Sequence, residues 1–244
     1  MRFKEIILKN KFFYELYKKI KIFKSKKFNL HLGEFGEDIF ICRFFRNKIN
    51  GFYVDIGCYH PIKGSLTYCL FKKGWKGINV DLSKSSIDLF NIARPNDINI
   101  NAAVSNKDGE TYYYENGPIN QQNSLIKNND LKKISIKSYK LSTILKNCNV
   151  NKVDFLNIDV EGYDYEVISC LNFNDINPIM ICIEENNFNI SEILDNKIHR
   201  FLIEKQYFLA SKIGVSLIYI QNKYEEKTKE IMDMNSKYFN DLEN

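Results

Sequence analysis

The chain of 244 residues is poor in the residues that break regular structure, with 11 Gly and 4 Pro. That excludes collagen-like and linker-dominated chains. No CxxC pair occurs, because the closest two of the six cysteines lie eleven residues apart. Zinc-ribbon and thioredoxin-like readings therefore have no support. Most cysteines sit in apolar patterns such as YCL and MICIE, so they read as buried, reduced thiols of a cytoplasmic protein. No apolar run reaches the ~20 residues of a membrane span, and the N-terminus lacks the apolar core of a signal peptide. The expectation is a chain that stays in the cytoplasm.

What is present is enough apolar residue for a core: 44% of the chain is apolar and 27% charged. The net charge of +5 is unevenly placed. Residues 1–28 hold ten basic residues against Glu5 and Glu15, so they carry +8 and the rest sums to −3. Phe13, Leu16, Tyr17, Ile20 and Phe23 recur there at helical spacing between lysines. A basic amphipathic helix over 1–30 can pack on its own domain, or make peripheral contact with the inner face of a membrane. The body has no positive excess, so no nucleic-acid partner is expected.

Short apolar strands alternate with helical stretches from residue 31 to about 222. Strands are expected at 52–57, 77–81, 98–104, 153–159, 178–184, 207–211 and 215–220, with helices at 36–45, 65–73, 84–93, 141–146, 163–171 and 191–206. Residues 110–140 read as a polar, irregular insertion, with Tyr112 to Tyr114 as a half-buried strand, and the charged tail 223–244 as a solvated helix or a frayed end. Alternation of this kind gives a mainly parallel sheet covered on both faces. The last two strands are joined by a turn too short for a crossover, so they form an antiparallel hairpin. The fold class is α/β: a Rossmann-like, class I methyltransferase pattern of seven strands closing in a C-terminal antiparallel hairpin.

Four strands end in acids: Asp55, Asp81, Asp159 and Glu184. Ligands of open α/β sheets bind beyond the carboxyl ends of the strands. Converging carboxylates call for a cationic or hydroxyl-rich ligand, and a nucleoside bearing a ribose and a sulfonium suits them. Asp81, 26 residues after Asp55, can accept both ribose hydroxyls or cap the next helix. Gly57 allows close backbone approach to the ligand. GxGxxG is absent, since Cys58, Tyr59, His60 and Pro61 follow Gly57.

The succession FYVDIGCYHP, KKGWKGINVD, INAAVSNKDGE, VDFLNIDVEGYDYEVI and MICIE resembles the FkbM family of S-adenosylmethionine-dependent methyltransferases, over residues 33 to 220. It is similar especially to a branch found in bacterial surface-polysaccharide and capsule loci. The resemblance implies O-methyl transfer to a sugar hydroxyl, on a nucleotide-sugar or glycan acceptor. It implies that Asp55 and Gly57 line the methionine end, that Asp81 holds the ribose, and that Ala102 and Ala103 lie by the adenine. The family's usual pattern has a glycine where Pro61 stands. Contact with the cofactor carboxylate is thus expected to shift to Ser65, Thr67 or Lys63.

Methyl transfer needs alignment and removal of the hydroxyl proton, so a base must lie within reach. Asp159, Glu161 and His60 are the candidates. Asp159, Glu184 and Glu185 can also hold Mg²⁺ through oxygen ligands. His60 can equally cap its own loop, and the carboxylates can pair with lysines. Asn120, Gln121, Gln122 and Asn123 are the expected acceptor contacts. The competing readings are methylation of another small or lipid-linked acceptor, and a non-catalytic membrane-surface module.

Overall fold

In a computed structural model, the structure describes residues 11–25, 33–120, 123–186 and 189–231. The carboxyl edge of a seven-stranded sheet carries the site. Its strands are β1 (Phe52–Ile56), β2 (Lys76–Asp81), β3 (Ile98–Asn101), then β7 (Phe155–Ile158), β8 (Met180–Glu184), β9 (Tyr207–Ile213) and β10 (Ser216–Gln221). Their spatial order is β3-β2-β1-β7-β8-β10-β9. The first five run parallel, and β10 runs antiparallel to both β8 and β9. The order reverses at β1, so the switch point lies between β1 and β7, where Asp55 pairs in register with Asn157.

Alternating side chains divide the sheet into two buried faces. Val54, Ile56, Leu156, Ile158, Ile181 and Ile183 face a layer made by α5 (Leu141–Asn147), α6 (Asp164–Ser169) and α7 (Lys197–Glu204). Tyr53, Phe155, Met180 and Cys182 face α2 (Glu37–Phe44) and α3 (Tyr68–Lys72). Helix α4 (Lys84–Ala93) covers β2 and β3, capped by Ser83, whose Oγ accepts from the Ser86 N–H. Helix α1 (Lys11–Ser25) packs against α4.

Four expectations are corrected. The strand expected at 98–104 breaks after Asn101, and β4 (Ala103–Val104) joins a separate three-stranded sheet. The segment 110–140 is not irregular: β5 (Gly109–Glu115) and β6 (Lys132–Tyr139) form a long hairpin, whose order with β4 is β4-β6-β5. Residues 222–231 are helical, and Tyr224 and Ile231 pack into the core beneath α2, so this part of the tail is docked. Cys42 and Cys69 form a disulfide, because α2 and α3 lie side by side with these Cα atoms 6.4 Å apart. A separation of 27 residues hides that proximity in the sequence.

The apolar stripe read on the N-terminal helix is also turned the other way. The docked face is Tyr14, Lys18 and Ile22, while Phe13, Leu16 and Ile20 are 51%, 46% and 45% exposed. Residues 1–10, 26–32 and 232–244, Gln121 and Gln122, and the Phe23 side chain lie outside the description.

Candidate active site

Two connected lobes of about 540 and 560 Å³ open at the carboxyl edge, sharing Gly57, Tyr59 and Asp159. The first is lined by Asp81, Leu82, Ala102, Val104, Asn120, Asn123, Leu125 and Val160. The second is lined by Glu34, Glu37, Asp55, Ser65, Asn157 and Glu184. A third groove, of about 790 Å³, meets the second at Glu184 and holds Glu161, Asp164, Tyr165, Glu185 and Lys197.

The first lobe combines apolar walls from Leu82, Ala102, Val104, Leu125 and Val160 with polar groups, among them the carboxylates of Asp81 and the shared Asp159. Asp81 Oδ1 accepts from the Ser83 N–H at 2.7 Å and Oδ2 from the Tyr59 N–H at 2.8 Å. These bonds fix the carboxylate in place, and burial lifts its pKa to about 6 despite them. Ala102 lines the lobe, whereas Ala103 is fully buried at the start of β4. The roof comes from the β5–β6 loop: Asn123 Oδ1 accepts from the Asn116 N–H, and its Nδ2 donates to the Gly117 carbonyl. Ser83 Oγ donates to the Pro118 carbonyl, tying that loop to α4. Asn123 is therefore committed to shaping the roof, and Asn120 borders the first lobe instead of the third groove.

In the second lobe Asp55 is buried, and its oxygens accept from Thr67 Oγ1 at 2.7 Å and Asn157 Nδ2 at 2.9 Å. Burial raises its pKa against both bonds. Behind it Arg94 is fully buried and donates to Ser65 Oγ, Thr67 Oγ1 and the Pro61 carbonyl. The expected cofactor contacts therefore divide. Ser65 borders the lobe, whereas Thr67 is fully buried between Asp55 and Arg94 and does not line it. Lys63 is exposed and lines neither lobe. His60 is also corrected: it is buried, and its Nδ1 accepts from the Ile62 and Lys63 N–H groups. An imidazole nitrogen engaged by two backbone donors holds the loop and cannot take a substrate proton.

The lobes and the groove meet at three carboxylates. Asp159, Glu161 and Glu184 each place an oxygen within 4.8 Å of the others. Burial and the Glu184 carboxyl beside it push Asp159 well above the usual carboxylate range. Burial and the charge of Glu184 lift Glu161 to about 7. Glu184 Oε2 is buried with no hydrogen-bond partner. Glu161 has a left-handed backbone, φ 53°, in the turn between β7 and α6. Such a conformation is costly for a non-glycine residue and recurs at functional sites. Glu161 replaces Glu185 in the expected acidic set, since Glu185 Oε2 accepts from Asn196 Nδ2 at 3.0 Å.

Three functional candidates carried no signal of their own in the sequence. Arg94 ends a helix, Asn157 sits inside a strand, and Glu37 opens α2 ahead of the sheet. Glu37 is buried, and its Oε1 accepts from Ser216 Oγ across 179 residues. Only the alternation of β7 offered a hint, by placing polar Asn157 on the same face as Asp55.

The family model of the methyltransferase FkbM domain matches residues 55–210, which span β1 to β9 and every carboxylate of the junction. The chain belongs to the FkbM methyltransferase family. No curated protein and no solved structure matches it. The sheet order, the reversal at β1 and the closing hairpin agree with the Rossmann-like methyltransferase fold of this FkbM domain. Among the described residues no helix is long and apolar enough to cross a membrane.

Proposed function

We propose that this FkbM methyltransferase moves a methyl group from S-adenosylmethionine to a hydroxyl of a sugar, nucleotide-sugar or glycan acceptor, in the making of a surface polysaccharide. The observation that carries the reading is the junction of two lobes at the carboxyl edge with a polar groove at Asp159, Glu161 and Glu184. The cofactor supplies an electrophilic methyl on a sulfonium. The first lobe suits its adenosine, with Asp81 accepting from the ribose hydroxyls and Ala102 against the base. The second lobe, ringed by acids, suits its ammonium and sulfonium.

Hydroxyl-rich acceptors match the groove, where Asp164, Glu185 and Lys197 offer polar atoms beside the Tyr165 ring. As the acceptor oxygen bonds to the methyl carbon, the carbon–sulfur bond breaks with its electron pair on sulfur. The hydroxyl proton passes to a carboxylate. Glu161 suits that role, because a base of pKa about 7 is both available and basic enough near neutrality. Asp159, whose pKa is raised by burial and by Glu184, would be relieved most by a cationic group bound at the junction.

A divalent cation fits the same three carboxylates, and the unpartnered Glu184 Oε2 supports its presence. In that alternative Asp159, Glu161 and Glu184 would hold the cation, Glu161 would serve as a ligand in place of the base, and the cation would lower the pKa of an acceptor hydroxyl. Transfer of labelled methyl to a panel of nucleotide-sugars, with and without chelator, tests the reading. Transfer to a carbohydrate that Glu161→Gln abolishes supports it. No transfer to any carbohydrate, with S-adenosylmethionine still bound, refutes the acceptor class.

A further inference from the structure

The second lobe is acidic, yet a buried arginine stands behind its wall. Glu34, Glu37, Asp55, Asp159 and Glu184 line it, and no lysine or arginine among the described residues does. Arg94 is fully buried and directs its donors at the loop between β1 and α3. Its Nε donates to the Pro61 carbonyl at 3.0 Å, its Nη1 to Thr67 Oγ1 at 2.8 Å and its Nη2 to Ser65 Oγ at 2.7 Å. Of these three acceptors only Ser65 lines the lobe. The guanidinium therefore reaches the lobe by one hydrogen bond, through one hydroxyl.

The protons of this network run in one direction. Thr67 Oγ1 donates to Asp55 Oδ2 at 2.7 Å, so its only proton is committed and it accepts from Arg94. Ser65 Oγ also accepts from Arg94, which leaves its own proton to give. Within the chain that proton meets Thr67 Oγ1 at 3.2 Å, longer than the separation of about 2.7–2.8 Å usual between hydroxyls. An anionic oxygen in the lobe is a better acceptor, because a charge-assisted bond is shorter and stronger. Asn157 Nδ2 and Ser216 Oγ, on the same wall, already donate to Asp55 and Glu37. Burial raises the pKa of Asp55 and of Cys58, both lining the lobe, and the charge of Arg94 draws each back down, so its field extends to the cavity.

We infer that the carboxylate of the donor's methionine end rests against Ser65 Oγ, with Arg94 as the positioning residue that frees this hydroxyl to donate and supplies the opposing charge. The inference rests on the reading of S-adenosylmethionine as the donor and adds an orientation to it. The methionine end carries an ammonium and a carboxylate on one carbon. The acids of the lobe suit the ammonium, and Ser65 backed by Arg94 suits the carboxylate, so the two groups are told apart. A lobe of acids without that hydroxyl and its arginine would repel the carboxylate and favour a ligand that lacks it.

The test is calorimetric titration of the full chain with S-adenosylmethionine and with its decarboxylated analogue, which lacks that carboxylate and carries one more net positive charge. Acids alone predict tighter binding of the analogue. The inference predicts the reverse, with S-adenosylmethionine bound about tenfold or more tighter. Ser65→Ala should remove that advantage and leave the affinity for the analogue nearly unchanged, which a general disturbance of the loop would not do. Arg94→Met, titrated below its own melting temperature, should make the analogue the tighter ligand. An unaltered chain that binds the analogue as well as S-adenosylmethionine overturns the inference. So does a preference that survives Ser65→Ala or Arg94→Met, or an equal loss of both ligands in Ser65→Ala. An unaltered chain that binds neither nucleoside refutes the donor reading and the inference with it.

Discussion

Gly57 and the Asp159 carbonyl are in such close contact that a Cβ at position 57 would lie 1.6 Å from that oxygen. The glycine also has a φ of 79°, in the region that side chains disfavour. Its approach lets β1 and β7 end side by side, where the two lobes are shared. Gly57→Ala should therefore destabilise the fold by about 2 kcal/mol or more and push Asp159 out of the junction. Thermal unfolding and calorimetric titration with S-adenosylmethionine check this. Unchanged affinity would show that the close approach is unimportant to the cleft.

Protonation gives a second prediction. Asp81 is raised to about 6, and Glu161 and Asp164 to about 7, in each case chiefly by burial. A carboxyl whose folded pKa lies above its unfolded one binds its proton more tightly when folded. Its favourable contribution is complete below about pH 4 and is lost as pH rises through about 7. The unliganded protein should thus melt lower at about pH 8 than at about pH 5. A cationic ligand compensates the released charges, so the melting shift caused by S-adenosylmethionine should be larger at the higher pH. Equal shifts at both would count against a cation bound beside these acids.

Arg94 is the third test. It is fully buried and braces the loop from Pro61 to Thr67 through three oxygens. Arg94→Met should cost roughly 3–5 kcal/mol, because the buried Asp55 then loses the positive charge of Arg94 and the oxygens of Ser65, Thr67 and Pro61 lose their donor. Arg94→Lys should rescue little, since an ammonium cannot reach all three acceptors at once. Urea unfolding of both variants decides it.

The Cys42–Cys69 bond closes a loop of 27 residues. Chain entropy alone assigns such a link about 3.5 kcal/mol. Cys42→Ser with Cys69→Ser should lower the denaturation midpoint of the oxidised protein, and reductant should bring the unaltered chain to the same value. A midpoint that reductant leaves untouched would show that the bond is not formed in solution.

Much of this architecture was readable beforehand, and the reasons differ by element. Strands such as FYVDI and MICIE are buried on both faces, so their apolar runs stand out, and their terminal acids mark the edge where a ligand binds. The hairpin β5–β6 has the opposite character. It exposes alternate residues, Tyr112 among them, and its polar sequence looks like a loop until pairing supplies the hydrogen bonds. The site followed the same division. Asp55, Asp81, Asp159 and Glu184 come from strand ends, so the strand pattern alone brings them to one edge of the sheet. Arg94, Glu37 and the exchange of Glu185 for Glu161 depend on contacts between distant segments, which no local pattern records.

Ser124 Oγ, in the roof of the first lobe, donates to the carbonyl of Glu161, and Ile126 lies over Gly162. The β5–β6 loop and the left-handed turn that carries Glu161 are thus joined by one hydrogen bond and one apolar contact, so a change of length or sequence in that loop acts on the position of the Glu161 carboxylate without touching the sheet.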